Sequence, residues 1–71
     1  MQITGTIDKQ GFGFGTWALV TEDGTTYELK DPNPELQKSG IKVTIEGNIR
    51  QDIMTIAMIG PVLEIDSFTI L

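Results

Sequence analysis

From Met1 to Asp8 the small and apolar residues Met1, Ile3, Gly5 and Ile7 alternate with Gln2, Thr4, Thr6 and Asp8. A period of two marks a strand with one face buried and the other in water. The run Gly11-Phe12-Gly13-Phe14-Gly15 interrupts that period, and a glycine-permitted bulge or bend is expected there. Trp17 to Thr21 reads as a second strand and Glu22-Asp23-Gly24 as a hairpin turn with the Asp-Gly signal. Thr25 to Lys30 follows as a third strand, with Tyr27 and Leu29 facing inward.

Asp31-Pro32-Asn33-Pro34 cannot continue a central strand. Asn33 suits a helix N-cap, Pro34 the first helical position and Gly40 the stop, which predicts one short helical turn over Pro34 to Ser39 with Leu36 as a plug over a barrel end. After it, Ile41, Val43, Ile45, Gly47 and Ile49 alternate with Lys42, Thr44, Glu46, Asn48 and Arg50, the most regular strand pattern in the chain. Gln51-Asp52 reads as a turn. Ile53 to Ile59 is β-prone with both faces apolar, Met54, Ile56 and Met58 on one and Ile53, Ala57 and Ile59 on the other, so the strand is either doubly covered or presents a sticky face. Gly60-Pro61 bends the chain. In the last strand, Val62 to Leu71, Leu63 and Ile65 share one phase while Phe68 and Ile70 share the other, and a bulge near Ser67 would reconcile them.

Three strands, a short helix, a fourth strand and terminal strands form the element order of an OB-fold. The expected fold is therefore all-β: one domain over residues 1–71, a small OB-fold-like closed barrel of five to six strands with one helical turn between strands 3 and 4. The stretches Ile3 to Ile7, Trp17 to Gly24, Val43 to Gly47 and Val62 to Ser67 resemble the recurring strands of small bacterial OB-like domains. Together with Met54 to Pro61 they are similar to a group of uncharacterised bacterial proteins of about this length. That group carries an aromatic, Gly-rich second strand and a Met-Trp-Gly step where this chain has Met58-Ile59-Gly60. The resemblance implies a fold and brings no activity with it.

Composition narrows the chemistry. The chain has 71 residues, and a folded domain of that size buries only about 60% of the surface its unfolded form exposes. It contains no Cys and no His, so disulfides, thiolate or imidazole metal ligands and the usual neutral-pH acid/base are missing from the repertoire. Ten acids against five bases give a net charge of -5, which disfavours a phosphate backbone or an anionic lipid surface. The bases Lys9, Lys30, Lys38, Lys42 and Arg50 are scattered along the chain. No apolar run is long enough to span a membrane, and no charged n-region with an apolar h-region opens the sequence. The expectation is a cytoplasmic protein, although an exported mature domain would share these features.

The sharpest candidate site is the Gly-rich run, where Phe12, Phe14 and nearby Trp17 would stand at the loop joining the first two strands. They would either stack on a ligand or fill the barrel. Phosphate binding by this run is not expected, since no helix N-terminus follows it. Ile53 and Ile59, flanking the Met stripe, form a second candidate surface for a partner or for self-association. Glu22 with Asp23, and Glu64 with Asp66 on one strand face, read as solvated edges, because two carboxylates do not make a calcium cage. Ser39, Ser67 and the threonines have no His to activate them.

No catalytic residue, cofactor or metal is expected. The leading expectation is a non-enzymatic binding module for a protein, a peptide or a small ligand, as a monomer or weak homodimer. The alternative is single-stranded nucleic-acid binding by analogy with the fold, which conflicts with the charge and needs Lys9, Lys42 and Arg50 to converge beside Phe12, Phe14 or Trp17. An enzyme is the third and least supported class.

Overall fold

The computed structural model describes residues 1–10, 15–52 and 59–71. Five strands, β1 (Gln2–Gln10), β2 (Thr16–Val20), β3 (Thr26–Lys30), β4 (Lys42–Arg50) and β5 (Val62–Ile70), close into one barrel in the order β1-β2-β3-β5-β4. Every neighbouring pair is antiparallel except β3 with β5. The strand expected over Ile53 to Ile59 lies outside the described residues except for Ile59, which stands in the bend before Pro61.

The alternation read from the sequence builds the interior. Ile3 and Ile7 of β1, Leu19 of β2, Leu29 of β3, Val43 and Ile45 of β4 and Leu63 of β5 meet in one buried cluster. Trp17, Tyr27, Ile41, Ile49, Ile65 and Phe68 are partly buried against it. Between β3 and β4 the chain makes a single 3-10 turn, Pro34–Leu36, shorter than the helical turn expected to reach Ser39. The Asn33 side chain accepts from the Glu35 amide at 3.0 Å, the capping bond that Asx residues favour at such starts. The turn delivers Leu36 into the cluster with no exposed surface.

The phase change within the last strand is resolved as expected. Glu46 pairs with Ser67 and Gly47 with Ile65, so Asp66 is the extra residue of a β-bulge, and beyond it Phe68 and Ile70 come opposite the inward Ile45 and Val43. Gly47 is buried at this step, and a Cβ there would collide with the Glu64 carbonyl. Side-chain absence is what lets the two backbones approach.

Directions follow from the pairings. β1, β3 and β5 run one way and β2 and β4 the other, so β1 finishes, and β2 begins, at the barrel end where Leu36 is inserted. β4 finishes at the opposite end, beside the β2–β3 turn around Gly24. No helix among the described residues is long and apolar enough to cross a membrane.

Candidate functional site

The β1–β2 hairpin is in register at Ile7 with Leu19, Lys9 with Trp17 and Gln10 with Thr16. Ile7 and Leu19 fill the interior, so Lys9 and Trp17, two residues farther along the same face, stand at the barrel end. Trp17 is half-buried against the core, and the Lys9 ammonium lies 5.3 Å from its ring centroid. A cation over an indole face is attracted by the ring quadrupole, worth about 0.5–1 kcal/mol at exposed sites. Gly15, at φ 78°, makes room for this arrangement, because a Cβ there would sit 2.8 Å from Lys9 Cγ. A side chain at that position would displace the lysine stem from the ring.

Three of the other four bases, Lys30, Lys42 and Arg50, are engaged with carboxylates elsewhere. Lys30 Nζ lies 3.3 Å from Asp31 and Lys42 Nζ 3.5 Å from Glu22. Arg50 grips Asp52 with both arms of its fork, Nε to Oδ1 at 2.9 Å and the terminal nitrogen to Oδ2 at 2.8 Å, and donates its remaining terminal nitrogen to Glu64. The hydrogen bonds from Arg50 hold the Asp52 carboxyl at about 2, and those to Asp52 and then Glu64 hold the guanidinium above its usual range. Asp23 is also held below the usual carboxylate range, first by the Thr21 hydroxyl and then by the Thr25 amide. The expected carboxylate pairs are thus divided among separate partners: Glu22 turns to Lys42, Glu64 to Arg50, and Asp66 accepts from Asn48 at 3.3 Å. Among the described residues no group of three or more acidic side chains is placed to hold a metal ion.

A second feature lies on the outside of the barrel. Ala18, Glu28 and Val62 are direct neighbours across β2, β3 and β5, continued by Arg50 on β4. Alternation turns them outward, and none belongs to the interior cluster, yet they are only 0%, 5% and 5% exposed. The outer face of β2 and β3, where OB-folds accept oligonucleotides and oligosaccharides, is therefore buried at its centre and carries a carboxylate.

Of the residues expected at a site, Trp17 and Ile59 are described, both half-buried, and they stand at opposite ends of the barrel. They do not form one surface. Phe12, Phe14, Ile53 and the Met54 to Met58 stripe lie outside the described residues. Lys9 was legible as the indole's partner only through hairpin symmetry: it and Trp17 are equally distant from Gly13, the middle of the Gly-rich run. The outward burial of Ala18 and Val62 had a fainter signal, apolar residues in both phases of Trp17-Ala18-Leu19-Val20 and of Val62-Leu63.

The chain matches no protein-family model, no curated protein and no solved structure.

Proposed function

We propose that this chain is a non-enzymatic binding module whose ligand edge is the end of the β1–β2 hairpin, built on Trp17 and Lys9. One observation carries the reading: a half-buried indole with an ammonium over its face, that ammonium forming no ion pair with a described carboxylate. An apolar plate beside an unneutralised cation suits a peptide or small molecule that joins an aromatic or apolar group to a carboxylate. The partner of this edge is such a ligand.

Two further observations favour binding over catalysis or nucleic acid. Asp23 and Asp52 are held in the ionised form, the reverse of the upward shift a general acid needs near neutrality. Lys30, Lys42 and Arg50 are matched with carboxylates, so Lys9 alone of the three bases required by the nucleic-acid reading stands beside Trp17.

Trp17 is the sole tryptophan, so its emission reports on the edge directly. Titration with hippurate, which joins a phenyl ring to a carboxylate, is expected to change that emission saturably and to do so far less in Lys9→Gln. A saturable response to a mixed-sequence single-stranded oligonucleotide, with none to hippurate, would replace this reading with the nucleic-acid one.

A further inference from the structure

We propose that the free edge of β5, over residues 67–71, is a docking strand for a second copy of this chain, paired antiparallel about a two-fold axis at Thr69. β5 finishes at the same barrel end as the hairpin carrying Trp17, but in the barrel order it is a neighbour of neither β1 nor β2. Pairing of β5 with β3 ends at Lys30 opposite Glu64, whereas pairing with β4 continues to Ile70. Among the described residues, the last stretch of β5 thus has a strand on one side only.

The hydrogen-bond phase of this edge is fixed. The Leu71 amide donates to the Lys42 carbonyl at 2.9 Å. In an antiparallel ladder successive residues turn their backbone groups to opposite sides, so Leu71 and Thr69 face β4 while Phe68 and Ile70 face away from it. The backbone groups of Phe68 and Ile70 form the template that an added strand completes. Their side chains share the concave face opposite Ile45 and Val43. Phe68 is half-buried there, but Ile70 keeps 44% and Leu71 66% of its surface exposed.

The stretch is complementary to itself. With the axis at Thr69, Phe68 comes opposite Ile70 of the second copy in a hydrogen-bonded pair, and Ile70 opposite its Phe68. Thr69 meets Thr69, and Ser67 meets Leu71. Aromatic with β-branched and Thr with Thr are favoured cross-strand pairs. Charge within the window does not oppose this occupant. Two molecules of net charge -5 repel, yet Ser67-Phe68-Thr69-Ile70-Leu71 contains no ionisable side chain, so the paired window sets no acid against another. Asp66 stands at the bulge, where the strand twists and the window closes. An isologous contact of this kind closes at the dimer and does not propagate.

The chain has no cysteine, so Thr69→Cys supplies a single thiol. Its position is a non-hydrogen-bonded pair with Cα atoms about 4.5 Å apart, within disulfide reach. Under mild oxidation Thr69→Cys is expected to form a covalent dimer at least tenfold faster than Gln51→Cys, an exposed control at the far end of β4. In sedimentation equilibrium over about 10 µM to 1 mM, the range for small, weak interfaces, the unsubstituted chain is expected to dimerise reversibly. Ile70→Pro removes an amide that β4 does not use, and Ile70→Lys keeps the amide but loses the apolar contact. Each is expected to weaken the dimer at least tenfold with an unchanged circular dichroism spectrum, and either serves if the other misfolds. A monomer throughout that range overturns the proposal. So does a dimer that both Ile70 variants leave intact, or a Thr69→Cys thiol that couples no faster than the control.

Discussion

Gly47 lies against the carbonyl of Glu64 at the point where the β4–β5 register slips by one residue. A Cβ at that position would collide with backbone, which cannot swing aside as the end of a flexible side chain can. The close approach lets the barrel close while β5 changes phase. Gly47→Ala is therefore expected to destabilise the fold by about 1–3 kcal/mol, the usual range for overpacking, or more if the bulge is lost. Urea unfolding followed by circular dichroism measures this, and an unchanged midpoint would contradict the role assigned to Gly47.

Leu36 is the plug of the barrel end at which β1 finishes, and it has no exposed surface. Leu36→Ala is expected to cost about 2–5 kcal/mol, from lost burial and the cavity left behind. Against a total stability of about 5–15 kcal/mol for small domains, that is a large fraction of the whole. Chemical denaturation and amide dispersion in an NMR spectrum both report it.

Asp52 is held at about 2 against an ordinary 3.8, chiefly by its hydrogen bonds from Arg50. Because the folded value is depressed, the contribution is fully present above the unfolded value and is lost as pH falls through the folded one. Asp23 is shifted in the same direction by Thr21. The stability profile is therefore expected to fall between about pH 4 and pH 2, and Asp52→Asn to flatten that limb while lowering the plateau above it. Since Asp52 is a surface residue the effect is small, and thermal melts at stepped pH resolve it.

Lys9 shields the face of Trp17. Lys9→Ala is expected to shift the tryptophan emission to longer wavelength as water gains access to the indole, with a stability loss of about 1 kcal/mol or less. Gly15→Ala is expected to do the same through the lysine stem and to lose more stability, because Gly15 also holds a positive φ. Emission spectra with matched melting curves separate the two effects.

Much of this fold was legible because alternation is a direct imprint of a one-sided core. Ile3 and Ile7, Leu29, and Val43 and Ile45 all point where period-two reading places them, and Asn33 caps the turn that inserts Leu36. The bulge near Ser67 was legible too, since Leu63 and Phe68 cannot share a face without an extra residue between them, and that residue is Asp66. What escaped was whatever depends on pairing between distant strands. That Glu28 would be buried between Ala18 and Val62 requires knowing that β3 lies beside both β2 and β5, and no local pattern encodes the parallel β3–β5 contact. The site was legible by halves for the same reason: Trp17 is conspicuous in the sequence, whereas Lys9 gains meaning only from the hairpin register.

The most direct test of the binding-edge account is a two-dimensional amide spectrum of labelled protein recorded through a hippurate titration, with the Trp17 indole N–H followed alongside. Saturable shifts are expected at Lys9, Gln10, Thr16 and Trp17, lost in Lys9→Gln, with the end of β4 around Gln51 unmoved. Shifts confined to that end of β4, or an oligonucleotide that moves the hairpin resonances while hippurate does not, would contradict the binding-edge account.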